Sequence, residues 1–348
     1  GGCFVLCSYE QSYALKGIAL CISIAFLFQW IVLIPKTAKC LQISFKEFLQ
    51  IRPFSFEVKE LLKPLSLTLI GIAATQLNGA IDLIFAKWAD PKGAAFLSYA
   101  IKLEQVPMGL FGVAVSQAIA PLLARAYQSK DLSQYHLLTE KSLRLTLKLL
   151  APFTLLFFVA APPFVSVIYG RGAFLDQDVT LTAQALALYT IGLIPSGLIL
   201  LLAPSFYAAL DFKTPMKATF LAVGINTALN AILVFVVHAG AWAIALTTSI
   251  SFWIQWGYLA YRLKAPYPVQ SLMKHIALVL FISTISFYLF PNLYWLSTYP
   301  KPFLDKMTLF ARVLMVPFFL YTLGALWFKD APIVEKGGNI VDEKNIET

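Results

Sequence analysis

Asp82 lies in an apolar stretch, four positions after Asn78 and close to Gln76, and a second amide pair with the same spacing, Asn226 and Asn230, recurs in a later apolar stretch. Four residues is just over one helical turn, so each pair shares a helix face. Thr247, Thr248, Ser249 and Ser251 follow in the next stretch. Together with Asp82 these side chains make an all-oxygen set able to hold a hard monovalent cation or a proton. The same residue types also join membrane helices by hydrogen bonds, so the pattern leaves both uses open. Lys102, Glu104 and Gln105, just before Pro107, interrupt another apolar run. A lysine there offers a point charge that binds and releases phosphates. It can equally reach along its own stem to the interface, with Glu104 doing likewise, or pair with a carboxylate such as Asp82 on an adjacent helix.

Few other constellations carry chemistry. The chain has no GxSxG, Walker A or HExxH string, and His136, His238 and His275 are far apart, so no soluble-enzyme site is expected. Cys3, Cys7, Cys21 and Cys40 lie in the first forty residues without a nearby histidine and read as packing residues.

The elements that must position these groups follow from composition. Of 348 residues, 59% are hydrophobic and 13% charged, which excludes a soluble globular domain. The apolar residues come in blocks of about 20, the length that crosses hydrocarbon as a helix. They predict spans at Leu15–Ile34, Leu65–Trp88, Ala94–Ala124, Leu145–Ile168, Leu181–Tyr207, Ala218–Val237, Ala241–Tyr261 and Ile276–Phe290, with a further one at Leu309–Phe328. This is an all-α, polytopic transmembrane bundle. The net charge of +9 is spread over short connections, not gathered on one face, which argues against nucleic acid as a partner. Every second connection is basic, first at Pro35–Lys63, then at Arg125–Lys148, at Lys213 and Lys217, and at Arg262, Lys264 and Lys274. Basic loops stay inside the cell, so the C-terminal tail is expected in the cytoplasm. The stretches Pro35–Lys63 and Arg125–Lys141 alternate charges with apolar residues and read as surface helices or solvated connectors. Because the chain opens Gly-Gly-Cys, already apolar at Phe4, it is expected to be a piece of a longer protein.

Several strings resemble the MurJ/MviN family of lipid II flippases: Lys102-Leu-Glu-Gln-Val-Pro-Met-Gly through Pro121-Leu-Leu-Ala-Arg-Ala, Tyr169-Gly-Arg-Gly-Ala-Phe-Leu-Asp, Tyr189 through Lys217, and Asn226-Thr-Ala-Leu-Asn230. Members of that family have fourteen helices in two lobes around a central cavity, within a superfamily of multidrug and polysaccharide exporters. The resemblance implies that residues 1–64 are the last helix of the N-terminal lobe and a cytoplasmic linker. Residues 65–263 would be the six-helix C-terminal lobe, 264–328 an extra helix pair and 329–348 a cytoplasmic tail, with the first five helices absent.

It further implies a transporter, not an enzyme, that moves undecaprenyl-pyrophosphate-linked peptidoglycan precursor across the bacterial inner membrane by alternating access. Lys102 falls where the family carries a cavity arginine on the substrate's pyrophosphate, and Glu104, Gln105, Gln76 and Asn78 stand with it as substrate-binding candidates. Asp82, Asn226, Asn230 and Thr248 fall near positions assigned to a coupling cation, although some members carry a carboxylate where this chain has Asn230. No cofactor or metal is implied beyond such a monovalent cation or the membrane potential. Implied partners are the lipid-linked precursor, membrane lipids and cell-wall synthesis proteins. The competing readings are an exporter of another amphiphile, such as a drug or polysaccharide-linked lipid, and a non-transporting scaffold for cell-wall enzymes.

Overall fold

A computed structural model describes residues 11–41, 56–263 and 269–289, together with Leu320, Tyr321 and Gly324. Among these residues there is no strand. The helices are α1 (Gln11–Leu41), α2 (Phe56–Ala89), α3 (Gly93–Pro107), α4 (Ala114–Gln128), α5 (Leu132–Val159), α6 (Ala161–Tyr169), α7 (Asp176–Thr190), α8 (Leu193–Ala208), α9 (Lys213–Ala231), α10 (Trp242–Leu263) and α11 (Val269–Leu289). A π-helical turn, Met108–Val113, carries α3 into α4 without a break, and a second one, Ile232–Val236, extends α9. Four described helical segments are long and apolar enough to cross a membrane: Pro64–Ala89, Gly93–Gln128, Leu132–Val159 and Lys213–Val236. The pair α7 and α8, bent by 46°, makes a fifth if taken as one span. The protein is therefore a multi-pass membrane protein.

The chain divides into two compact units, Gly1–Leu62 and Lys63–Thr348. In the first, α1 exposes large apolar side chains from Leu20 to Ile34, and Cys21 is exposed there, not packed as expected. The apolar part of α1 ends at Pro35, next to the expected Ile34, while the helix itself continues to Leu41. A proline costs a helix one backbone donor, a loss that membrane helices tolerate.

The second unit is built around α7, which packs against both α3 and α10. Its main core joins Phe85 and Ala86 of α2 and Leu97, Ala100 and Leu103 of α3 to Leu186 and Tyr189 of α7 and Ile244 and Ala245 of α10. A second cluster gathers Leu143 and Leu147 of α5 with Leu198, Leu201 and Leu202 of α8. Helix α11 lies on α5 through Val279, Ile282, Ala151 and Leu155. The span expected at Leu309–Phe328 lies outside the described residues except at Leu320, Tyr321 and Gly324, where Tyr321 joins that same cluster. Outside these cores the unit exposes large apolar side chains, among them Leu69, Leu77, Phe220, Leu221 and Phe235, as a surface facing hydrocarbon does.

Two stretches differ from expectation. Arg125–Lys141 is a surface segment only in part: Arg125 and Tyr127 through Gln134 are exposed, but α5 starts at Leu132, where Asp131 Oδ1 accepts from Gln134 N at 2.9 Å, and runs inward to Val159. Tyr135, Thr139, Leu143 and Leu147, spaced four apart, form a buried stripe into the lobe. Its charges neutralise each other in place, Arg144 Nη2 lying 2.6 Å from Glu140 Oε1. The span expected at Leu145–Ile168 is correspondingly broken at Ala160, where Pro162 and Pro163 open the separate helix α6. A proline fits the first turn of a helix but cannot extend the preceding one. Leu181–Tyr207 is likewise two helices.

Elsewhere, carbonyls left without an intrahelical donor, at a bend or one turn before a proline, find one on a neighbouring helix. Ile191 O, in the bend between α7 and α8, accepts from Trp253 Nε1 of α10 at 3.0 Å, while Pro195 sits in the first turn of α8, where no backbone donor is needed. Pro204 cannot donate to Leu200 O, which accepts from Ser116 Oγ of α4 at 2.9 Å. At the bend itself Ser249 Oγ donates to Leu188 O at 2.6 Å, and Gly192 allows the approach, since a Cβ there would stand 2.9 Å from Ser249 Cα. Ser116→Ala is expected to lower thermal stability by roughly 0.5–2 kcal/mol. In a Pro204→Ala background the regained N–H meets Leu200 O, so the same change should cost little; equal losses in both backgrounds, read by thermal unfolding in detergent, would remove the pairing from the account.

Candidate functional site

Three helices bring the polar pairs together. Asp82 of α2 is buried, and its Oδ1 accepts from Asn226 Nδ2 at 2.6 Å and from Asn230 Nδ2 at 2.7 Å, both on α9. Its Oδ2 accepts from Thr248 Oγ1 of α10 at 3.1 Å and from Asn78 Nδ2, one turn earlier on α2, at 3.3 Å. Asn226 Nδ2 also reaches Asn78 Oδ1 at 3.0 Å, and Thr247 Oγ1 donates to Asn230 Oδ1. Asn226, Asn230 and Thr247 are fully buried. Helical spacing explains the convergence, since each pair presents both members to one neighbour.

The network is short of protons. Thr248 has one hydroxyl hydrogen but two acceptors in reach, Asp82 Oδ2 and Ile244 O, the latter at 2.9 Å. Thr247 is in the same position between Asn230 Oδ1 and Ile244 O, at 2.8 Å from the carbonyl. Asn226 Oδ1 is buried with no donor at all. A buried acceptor without a donor costs about 1–3 kcal/mol. One positive charge beside Asp82 would relieve all three deficits. A half-turn of the Asn230 amide presents its oxygen to that charge and its NH2 to Thr247 Oγ1, releasing the Thr247 proton to Ile244 O.

The other candidates lie apart. Lys102 on α3 is exposed and does not pair with Asp82; its Nζ sits 5.7 Å from the centroid of the Tyr99 ring, one turn back toward the helix start. Tyr99 in turn packs on Tyr169 and Phe174, with centroids 4.9 and 5.4 Å away, so the Tyr169-Gly-Arg-Gly-Ala-Phe174 string props the ring on which the ammonium rests. Glu104 is half-buried and Gln105 exposed. Gln76 is exposed and takes no part in the Asp82 network, because two residues along a helix place it on a different face from Asn78. Asn78, grouped in the sequence with the substrate candidates, is bonded into the Asp82 network. Thr247, read in the oxygen set, does join the network, whereas Ser251 bonds to its own helix and Ser249 to the bend; Tyr99 went unmarked as a site residue, and its signal was its place three residues before Lys102.

A sequence description of the Lipid II flippase MurJ family matches residues 1–315. The chain belongs to that family. Among curated MurJ relatives, the probable lipid II flippase of Chlamydia trachomatis is 31% identical over 260 residues, 75% of this chain and 47% of that one. The lipid II flippase MurJ of Burkholderia cenocepacia is 30% identical over 280 residues, 78% of this chain and 53% of the relative. The chain thus spans about half the length of the curated MurJ proteins it matches. Among solved structures, MurJ in an inward closed conformation superposes with a TM-score of 0.62 at 24% identity, covering 81% of this chain and 57% of that one. An outward-facing multidrug MATE transporter superposes with a TM-score of 0.50 at 16% identity, over 75% of this chain and 63% of the other. These likenesses establish the fold that MurJ shares with the multidrug exporters.

The two groups should separate in stability measurements. Asn230→Ala deprives Asp82 of a donor and is expected to cost about 1–3 kcal/mol. Lys102→Ala, at an exposed position, should stay within about 0.5 kcal/mol. Thermal unfolding of both variants in detergent checks the contrast, and a Lys102→Ala loss as large as that of Asn230→Ala would contradict the placement.

Proposed function

We propose that this protein is a flippase that moves undecaprenyl-pyrophosphate-linked peptidoglycan precursor across the bacterial inner membrane by alternating access. Membership of the MurJ family, matched over residues 1–315, carries the reading. The exposed Lys102 ammonium, held against Tyr99, supports it as a group that can meet a pyrophosphate without first leaving a buried ion pair. Glu104, Gln105 and Gln76 are the polar side chains proposed to orient the substrate beside it. In this reading residues 1–64 end the N-terminal lobe, 65–263 form the C-terminal lobe and 264–328 the extra pair. The alternation of basic connections puts the 329–348 tail in the cytoplasm, where cell-wall synthesis proteins are the proposed partners.

The proton deficit around Asp82 supports a coupling role. A monovalent cation there would supply the missing positive charge, held by the Asp82 carboxylate and oxygens of Asn226, Asn230 and Thr248, with Asn78 orienting Asp82 Oδ2. Asn in place of the second carboxylate of some family members leaves one formal negative charge for one cation.

Translocation of fluorescent precursor by the full-length protein in liposomes tests both assignments. Lys102→Ala is expected to slow it about tenfold or more, with Lys102→Arg retaining most of the rate, as loss of one charge-assisted contact requires. Asp82→Asn should abolish any dependence on sodium or lithium. An unchanged rate in Lys102→Ala would take that residue out of the mechanism, and failure of the wild type to move the precursor would overturn the function.

A further inference from the structure

A cleft with about 30 Å³ of open room, space for about two water molecules, opens between α2, α9 and α10 beside the Asp82 network. Its inner end is formed by Asn78 and Thr248, the two side chains that donate to Asp82 Oδ2. Its lining continues along Ser251 and Gln255 of α10, Thr219 and Val223 of α9, and Thr75 of α2, which is exposed. Thr248, Ser251, Phe252 and Gln255 follow the 3–4 spacing of one helix face, as do Thr219, Ala222, Val223 and Asn226. From Thr248 to Gln255 the face rises about 10 Å. A row of polar side chains of that length, on a lobe otherwise surfaced by large apolar ones, gives a polar occupant partners along the way.

The chemistry of the lining selects the sign of that occupant. Thr75 Oγ1 donates to Gly71 O at 3.1 Å, Thr219 Oγ1 to Pro215 O at 3.1 Å, and Ser251 Oγ to Thr247 O at 2.8 Å. Each hydroxyl proton is committed to its own helix, and what remains for the cleft is lone pairs. The hydroxyls therefore accept, and the donors left in the lining are the amide NH2 groups of Asn78 and Gln255, already engaged with Asp82 Oδ2 and Thr219 Oγ1 and carrying no formal charge for an anion. One tie crosses the cleft, from Gln255 Nε2 of α10 to Thr219 Oγ1 of α9 at 3.2 Å.

We propose that this cleft is a hydrated access route by which a monovalent cation reaches Asp82, with the Gln255–Thr219 hydrogen bond as the tie that restricts it. The inference rests on the cation site proposed above and names its path. Thr75, Asn78, Thr219, Thr248, Ser251 and Gln255 place polar atoms along the cleft, among the apolar Ala222, Val223 and Phe252, so a hydrated ion meets oxygen at intervals on its way to Asp82. Breaking the tie widens the route without touching any group bonded to Asp82.

Cysteine labelling tests the path independently of cation binding. In the full-length protein, reconstituted with its native cysteines replaced, Val223→Cys lines the cleft and Leu221→Cys faces the hydrocarbon side of the same helix. The probe is methanethiosulfonate ethylammonium, which reacts with thiolates and so requires water at the sulfur. Val223→Cys is expected to label about tenfold faster or more than Leu221→Cys, and adding Gln255→Ala should raise the rate further. Equal rates at the two positions would overturn the route even if sodium still binds. The labelled Val223→Cys protein should then show slower sodium association and dissociation with an unchanged Kd, because a plug in a path alters rates alone. A changed Kd at unchanged rates would mean the group perturbs the site and would also overturn the route. If Val223→Cys labels fast but the wild type shows no sodium binding, it is the cation site that fails, and this proposal with it; Asp82→Asn calorimetry, which reads the site without the labelled cysteine, tells the two failures apart.

Discussion

Hydrocarbon offers no hydrogen bonds, so every polar group carried into this helical lobe must be answered by another polar group of the same chain. That constraint explains residues that look arbitrary in the sequence. Ser116 stands where it meets the carbonyl released by Pro204, and Trp253 and Ser249 answer carbonyls at the bend between α7 and α8. Single hydroxyls such as those of Thr146, Thr182 and Ser283 are buried without a hydrogen-bond partner, but at the Asp82 network the shortfall surrounds a carboxylate, with three acceptors contending for two hydroxyl protons and the Asn226 oxygen left over. A surplus of lone pairs gathered around one carboxylate is the electrostatic basis of the proposed cation site.

Much of this was legible from the residues. Apolar blocks of membrane-spanning length give the helices, and i, i+4 spacing gives the faces that converge on Asp82. What escaped was the ends and breaks. Arg125–Lys141 reads as a surface segment and is one as far as Gln134, whereas from Tyr135 onward the Tyr135, Thr139, Leu143 stripe, and the pairing of Glu140 with Arg144, make it the start of a buried helix. Pro35 looks like a terminator and is not one. Lys102 shows the limit for sites: sequence tells that a charge lies in an apolar run, but the choice between a pair with Asp82 and an exposed rest on Tyr99 depends on which helix faces intervene, and that is fixed only by packing.

Membership of the MurJ family and the shared fold with a multidrug exporter imply one scaffold carrying different cargoes. The exposed ammonium on α3 and the buried carboxylate on α2 are separate centres, joined through α7, which packs against α3 on one side and α10 on the other.

That arrangement has a mechanical corollary. Thr248 holds Asp82 and Ser249, the very next residue, holds the carbonyl at the 46° bend, with Trp253 one turn further on. A helix turns as a stiff rod, so α10 cannot swivel to regrip the carboxylate without tugging on the elbow of the α7–α8 span. The grip and the elbow are two ends of one crank.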